Sequence, residues 1–355
     1  MSKPAGRSIS IVVPCRNEAG CIQSFLDSVL HQDLRGLDWE IIIADGMSDD
    51  GTREVLESYR ERHPQVRILD NPGKIVSTGL NAAIRAARGE VIVRMDVHTE
   101  YAPDYIRECV TVLQETGVDN VGGPWMAKGA GYMNRAIATA FQSPLATGST
   151  RAHNRDYAGE VDTVYLGCWR RDVFNRIGYF DEGFVRNQDD EFNFRLVRSG
   201  GRIWQSPRII SWYRPRATLS GLFRQYLQYG FWKVAMIRKH RAPVHWRHVV
   251  PSAFVLANLL LLLATVRDAA TGCGSILPWS LKAWTGLVAG YLFASCGAAI
   301  LAAKRSDWSL LPMLPVIFAT FHLSYGVGFL IGLLYWPFIN WRPVQPGKFF
   351  TEITR

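Results

Sequence analysis

Several acids in this chain sit at places where chemistry is often done. Asp96 and His98 are separated by one residue, directly after the apolar run Glu90–Met95. In a turn just past a strand, both side chains can converge on one divalent cation, Mn²⁺ or Mg²⁺, of which Mn²⁺ better tolerates an imidazole. The alternative is a loop-capping Asp beside a surface His. Asp45 closes a second apolar run, Glu40–Ala44, and stands too far from Thr52 to cap the helix that starts there. Asp49 and Asp50 are closer, and one of them is expected to serve as that cap. Gln188-Asp189-Asp190-Glu191 sets three acids in a row. Like charges this close repel, so some must be paired or shifted in pKa. A carboxylate poised near neutral pH is what a general base needs. Asp189 is the expected catalytic base, with Asp190 as the alternative. Glu191 is expected to orient Arg195 or the second substrate. The same cluster also suits a solvated helix N-terminus.

The elements that must position these residues alternate. Ser8–Pro14, Glu40–Ala44, Val66–Leu69 and Glu90–Met95 read as short buried strands, and Asn120–Gly122 begins a fifth. Helical patterns lie between them, through Ile22–Leu30, Thr52–His63, Lys74–Ala87 and Pro103–Glu115. This order predicts an α/β fold, a mostly parallel sheet with helices on both faces. Ligands of such sheets bind at the carboxyl ends of the strands. Those ends carry Pro14-Cys15-Arg16-Asn17-Glu18, Asp45–Thr52 and Asp96-Val97-His98. No G-x-G-x-x-G follows the first strand and no G-x-x-x-x-G-K-[ST] occurs, which weakens a dinucleotide site and removes a P-loop. Acids at three strand ends imply a site that grips a nucleotide by base and ribose while a metal holds the phosphates. Arg53, Lys74 and Arg94 could neutralise a diphosphate or simply be solvated. Lys74, after the Asn71-Pro72-Gly73 turn, is the preferred candidate.

Composition divides the chain. Residues 1–247 carry 33 basic and 28 acidic side chains; residues 248–355 carry 7 and 3. Within the tail, Val249–Val266, Ala283–Ala303 and Trp308–Trp341 are uncharged. A helix needs roughly 20 apolar residues to cross a bilayer core, so about three membrane helices (249–266, 283–303, 313–336) are expected. Hydrophobic residues at 48% exclude a disordered chain. The six cysteines, at 15, 21, 109, 168, 273 and 296, have no C-x-x-C spacing, which disfavours a zinc ribbon or a disulfide scaffold and suits a reducing compartment. Met1–Arg7 offers no signal peptide, so the catalytic part is expected in the cytoplasm.

Four stretches, in order, resemble those of family 2 glycosyltransferases with the GT-A (Rossmann-like) fold. They are Ile11–Glu18 (I-V-V-P-C-R-N-E), Asp45–Thr52 (D-G-M-S-D-D-G-T), Asp96-Val97-His98 at the D-x-D metal position, and Gln188–Arg195 (Q-D-D-E-F-N-F-R). Arg94–His98, Tyr101-x-x-Asp104-Tyr105-Ile106 and the apolar tail are similar to the ExoA-like, succinoglycan-biosynthesis branch. The resemblance implies an inverting, membrane-bound hexosyltransferase. It would move sugar from a nucleotide donor, UDP-linked in this expectation, to a polyprenyl-diphosphate-linked saccharide in exopolysaccharide or surface-glycan assembly. Polyprenyl phosphate is the alternative acceptor, and a non-catalytic membrane scaffold the alternative of another class. By resemblance Asp45 contacts the base, Glu18 the ribose or base edge, and Asp96 the ribose and metal. Pro14, Arg16, Ser48, Asp50 and Lys74 complete the donor site, and His98 replaces the metal-binding second Asp. Two departures stand out: imidazole for carboxylate at His98, and Gln188 where Glu is usual.

From Phe192 to Arg247 there are 12 Lys or Arg and no acid, with aromatics interleaved. Directly before an apolar helix, this reads as a surface resting on anionic headgroups rather than on nucleic acid. Leu219–Arg238 is expected to be an interfacial amphipathic helix. Gln228-Tyr229-Gly230-Phe231-Trp232 resembles the Q-x-x-R-W motif of processive members, with Phe231 in place of Arg. Arg195, Gln228 and Trp232 are therefore candidates for acceptor or diphosphate contact, with membrane anchoring as the other reading of Trp232. The expected organisation is a cytoplasmic GT-A catalytic domain (1–215), an interfacial helix and basic linker (216–247) and a membrane domain (248–355). Arg238, Lys239, Arg241 and Arg247 precede the first span, and positive-inside logic places them in the cytoplasm, with the protein multi-pass in the inner membrane. Three crossings would leave the C-terminus outside. Pro312, Pro315 and Pro337 cast doubt on a simple third helix and leave a re-entrant or interfacial arrangement open.

Overall fold

The computed structural model describes residues 8–148, 150–241, 246–271 and 278–338. The expectations placed on Met1–Arg7, on Cys273 and on the third apolar run beyond Phe338 lie outside them. The chain divides into two compact units, one of Met1–Met126 with Thr150–Arg214, the other of Ala127–Ser149 with Pro215–Arg355.

The first unit begins with β1 (Ser8–Cys15), α1 (Ile22–Leu30), β2 (Asp38–Asp45), α2 (Thr52–Arg62), β3 (Val66–Asp70), α3 (Val76–Ala86) and β4 (Val91–Arg94). It continues through β5 (Thr99–Tyr101), α4 (Tyr105–Thr116), β6 (Asn120–Gly123) and β7 (Met126–Ala127). The segment that belongs to the second unit then forms α5 (Tyr132–Phe141) and α6 (Pro144–Thr147). The first unit resumes with β8 (Gly159–Glu160), β9 (Tyr165–Arg170), α7 (Asp172–Ile177), α8 (Gln188–Arg198), β10 (Ile203–Gln205) and β11 (Ser211–Tyr213). Eight strands form one sheet in the order β3-β2-β1-β4-β9-β6-β10-β8, and β5-β11-β7 form a small second sheet.

The large sheet is mixed. β1 runs parallel to β2 and β4, β2 to β3, and β6 to β10. β9 is antiparallel to both its neighbours, and β8 to β10. β9 enters after the excursion through α5 and α6, which frees it from the β-α-β crossover that forces parallel pairing. Successive side chains on a strand face opposite sides. Ile9, Ile11 and Val13 therefore pack with Phe25, Leu56 and Ile106 on one face. Val12, Ile42 and Ile92 pack with Leu80, Phe174 and Phe192 on the other. The same alternation sends Arg94, two residues past Ile92, to the side where α8 lies.

In the second unit α9 (Leu219–His240), α10 (Trp246–Ala270), α11 (Trp279–Arg305) and α12 (Leu314–Tyr335) follow. The last three are long and apolar enough to cross a membrane. The doubt raised by the prolines is corrected for α12: Pro315 falls in its first turn, where the missing N–H has no intrahelical partner to lose, and Pro337 lies after its end. The helix α9 is more than an amphipathic strip. Leu227, Gly230, Phe231, Trp232 and Val234 are among its buried residues, and they pack along α12.

Candidate active site

The turns that follow β1 and β2 are bound to each other. Asn17 and Met47 both take positive φ (53° and 58°), which brings the two turns face to face. The amide of Asn17 donates to Ser48 Oγ (2.8 Å), that of Glu18 to Thr52 Oγ1 (2.7 Å) and that of Ala19 to Asp50 Oδ2 (3.1 Å). Asp50 Oδ1 accepts from the Thr52 amide (3.1 Å) and hydroxyl (2.5 Å), so this carboxylate holds the start of α2 and the β1 turn at once. Burial alone would raise its pKa, but these hydrogen bonds outweigh burial and lower it. Asp45 is 2% exposed. Its Oδ1 accepts from Ser48 Oγ (2.6 Å) and the Ser48 amide (3.2 Å), and its Oδ2 lies 3.3 Å from Arg53 Nη1. Arg53 in turn binds Asp70 (2.6 Å) and Glu57 (2.9 Å). The polar atoms of Asp45, Ser48 and Asp50 thus lace the two turns together at the strand ends.

Other predicted donor-site residues remain more open. Arg16 lies against Gly46, where a Cβ would sit 3.0 Å from the Arg16 side chain, and reaches the Lys74 carbonyl at 3.5 Å. Lys74 itself is exposed at φ 59°. Pro14 and Glu18 are half-buried. His98 is 46% exposed at its side chain, with Nδ1 3.5 Å from Glu18 Oε1. The turns after β1 and β4 therefore meet at a Glu–His pair.

Arg94 is the centre of the site. It is 5% exposed, and Nε and Nη2 donate to Asp96 Oδ1 (2.9 Å) and Oδ2 (3.0 Å). Its Nη1 is buried without a hydrogen-bond partner. Burial works against its charge, but Asp96 and then Asp189 outweigh it and raise the pKa. The Asp189 carboxyl is raised above the usual range, first by burial and next by the charge of Asp190, with Arg94 pulling the other way. Arg94 thus pairs with Asp96 just past β4 and interacts electrostatically with Asp189 at the start of α8. The Asp96 amide donates to the Tyr101 hydroxyl (2.7 Å), and Tyr165 bonds Thr99 (2.8 Å). Both phenols are pushed well up, first by burial and then by Asp96, so they stay protonated.

The first turn of α8 is fixed from below. Glu191 is fully buried, and Arg195 binds both its oxygens at 2.9 Å. Arg195 also donates to the carbonyls of Ile177 (2.5 Å) and Tyr179 (2.7 Å). Asn81 on α3 clamps Phe180 through its carbonyl (2.8 Å) and amide (2.9 Å). Glu191 therefore orients Arg195, one of the two roles that the sequence suggests for it. Together they anchor the segment that delivers Asp189. Gln228 is fully buried and Trp232 1% exposed, its ring 5.4 Å from Trp336.

The sequence marks Arg94 as a diphosphate partner or a solvated residue, although its parity with Ile92 is readable there. It passes over Trp125, whose ring lies between His153 (5.4 Å) and Tyr165 (5.3 Å). Burial pushes the His153 imidazole down to about 4, leaving it neutral. A lone Trp in a loop gives no signal of such a stack.

Among the described residues no three His, Cys, Asp or Glu side chains cluster as a complete metal site. Asp96 and His98 fit a divalent ion that shares its coordination with diphosphate oxygens and water, since Mg²⁺ and Mn²⁺ accept oxygen ligands and tolerate a sparse protein shell.

This sheet, with its acids at strand ends, is the GT-A fold of glycosyltransferases. A mannosyltransferase of Pyrobaculum calidifontis, solved with GDP-Man and Mn²⁺, superposes with a TM-score of 0.56 at 19% identity, covering 92% of this chain and 89% of that one. The family model for glycosyl transferase family 2 matches residues 10–178. The chain is 31% identical over 321 residues to the succinoglycan biosynthesis protein ExoA of Rhizobium meliloti, covering 90% of this chain and 93% of that protein. It is 25% identical to the dolichyl N-acetyl-alpha-D-glucosaminyl phosphate 3-beta-D-2,3-diacetamido-2,3-dideoxy-beta-D-glucuronosyltransferase of Methanococcus voltae, covering 92% and 97%. The chain belongs to glycosyl transferase family 2, and it is a glycosyltransferase.

Proposed function

We propose that this enzyme transfers a hexose from a UDP-sugar, with inversion, to a polyprenyl-diphosphate-linked saccharide at the cytoplasmic face of the inner membrane during exopolysaccharide assembly. The observation that supports the reading is the buried Arg94, paired with Asp96 and sensed electrostatically by Asp189, a carboxyl of raised pKa. Asp189 takes the proton from the acceptor hydroxyl as that oxygen attacks the anomeric carbon. Attack from the face opposite the leaving nucleotide inverts the anomer in one step. Arg94 favours the ionised form of Asp189, opposing burial and Asp190. Asp96 and His98 would hold the divalent ion, which as a Lewis acid stabilises the departing diphosphate. Arg16 and Lys74 face the same charge from the β1 and β3 sides, and Glu18 takes the ribose or base edge.

A lipid-linked acceptor is supported by the name of the Methanococcus relative, and an exopolysaccharide product by that of the Rhizobium one. The three apolar helices support membrane attachment. In the second unit, a cavity of about 500 Å³ between α5–α6 and the end of α11 is lined by Arg135, Arg305, Leu145, Leu301 and Ala302. Apolar walls with cations at hand suit a lipid phosphate. The test is a panel of UDP- and GDP-sugars, with Mn²⁺ or Mg²⁺, scored by thermal shift and then by transfer to polyprenyl-diphosphate saccharide and to polyprenyl phosphate. Stabilisation by one UDP-sugar and transfer to the saccharide are expected. Transfer only to polyprenyl phosphate would move the acceptor assignment. Stabilisation only by a GDP-sugar would overturn the UDP assignment.

A further inference from the structure

We infer that the protein crosses the bilayer twice, as the α10–α11 hairpin, and that α12 lies with α9 in the membrane surface on the catalytic side. The three apolar helices are unequal. The apolar windows of α10 and α11 are 6% and 17% buried in protein, which leaves them for lipid; that of α12 is 44% buried. Much of the cover on α12 comes from α9. Contacts advance together along both helices: Tyr226 meets Phe321 (4.4 Å between rings), Trp336 Nε1 donates to the Phe231 carbonyl (3.1 Å), and Arg238 reaches the Pro337 carbonyl (3.4 Å). The pair thus runs side by side for roughly 22 Å at 1.5 Å per residue.

Glycine makes the approach possible. A Cβ at Gly328 would fall on the Leu227 carbonyl, and one at Gly230 on the Tyr325 carbonyl. Packing this close joins the two helices as one body, so α12 cannot cross without taking α9 along. But α9 carries Arg224, Lys233, Arg238 and Lys239. Crossing would draw Lys233 toward the apolar interior, where a charge is strongly disfavoured. At the surface, the same cations meet anionic headgroups. Exposed Val316, Leu323, Leu333 and Leu334 of α12, with Phe223 of α9, supply apolar groups for the acyl boundary.

Contacts with the hairpin agree. Gly326, past the middle of α12, abuts Pro251 and Val255 near the start of α10. His322 meets Tyr291 of α11 (2.9 Å), whose ring stacks on Phe254 about two turns into α10 (4.6 Å), and also the Leu145 carbonyl of α6 (2.8 Å). Beyond that point α12 follows α9.

The charges agree as well. Two crossings put Arg238, Lys239, Arg241, Arg247, Lys304, Arg305, Arg342, Lys348 and Arg355 on the catalytic side, against Arg267 and Lys282 on the far side. Three crossings would move Arg342, Lys348 and Arg355 across and erase most of that bias, which the positive-inside rule disfavours.

The test uses the full-length protein in a bacterial host with a permeabilised outer membrane and a membrane-impermeant maleimide. Cys273, between α10 and α11, is the internal control and labels on intact cells under either topology. In a Cys273→Ser, Lys348→Cys variant, no label is expected until the inner membrane is opened. Labelling of that variant on intact cells would overturn the proposal. A second measurement places a nitroxide-labelled cysteine at Leu323, midway along α12, in vesicles of mixed anionic and zwitterionic lipid. Depth at the headgroup–acyl boundary is expected, and depth at the bilayer centre would overturn it. Neither readout depends on the donor or acceptor.

Discussion

Two acidic regions of the first unit look alike in sequence and differ in structure. Around Asp45, Ser48 and Asp50 every polar group has a nearby answer, and the shift of Asp50 is downward. Around Asp96 and Asp189 the network is less complete, although Arg94 binds both oxygens of Asp96. Arg94 keeps one buried nitrogen unpaired, and Asp189 is raised by burial and by its neighbour. A satisfied network gives rigidity; an unsatisfied one holds charge ready for a ligand or a proton. The acids of the second strand-end turn are held by hydrogen bonds, and those around Arg94 include the carboxyl whose pKa is raised.

The sharpest way to break that contrast is Asp189→Asn. It keeps size and loses proton acceptance, so kcat should fall by about 10² to 10⁴, with donor affinity near that of the unchanged enzyme. Single-turnover transfer and calorimetry separate the two; loss of donor binding instead would make Asp189 a structural residue. Arg94→Met comes next. It leaves Asp96 and Asp189 without their shared cation, so kcat should drop by about 10-fold or more and the acid limb of the pH profile should move up. An unchanged limb would show that Arg94 does not govern Asp189.

His98→Ala should leave a folded protein whose donor binding responds more weakly to Mn²⁺ or Mg²⁺, read by titration; chelation of the metal should abolish transfer in the unchanged enzyme. Full activity in EDTA would remove the ion from the mechanism. Asp50→Ala tests the opposite region. Loss of its hydrogen bonds at the start of α2 should cost about 1 kcal/mol of stability while kcat stays within a few-fold, measured by urea unfolding beside kinetics. The smallest effect is expected of Asp190→Asn. The protonated form of Asp189 is inactive as a base, and Asp190 raises its pKa, so the variant should stay active to lower pH. A limb that moves upward would contradict the assignment.

Much of the architecture could be read in advance, because it follows from periodicity. Buried strands ending in Asp45 and Asp96, the acids at the head of α8 and three apolar helices are local patterns. Roles that depend on which side chain meets which were not local. Glu191 and Arg195 are one helical turn apart, yet only the segment at Ile177–Tyr179 makes their pair an anchor. Trp232 reads from the sequence as a sugar platform or a membrane anchor, and only the fold packs its ring against Trp336. The antiparallel β9 and the transfer of α5–α6 to the second unit depend on contacts between residues far apart in the chain.

By itself, then, the sequence determined the strand-helix order, the apolar tail and the positions at which acids follow strands, since hydrophobic period and turn residues act over a few neighbours. The tertiary structure decided which of those acids are saturated and which are held beside Arg94. It also decided that α12 packs on α9 through Gly230 and Gly328. Burial, pairing and close approach belong to residues brought together by folding, and no window of the chain contains them.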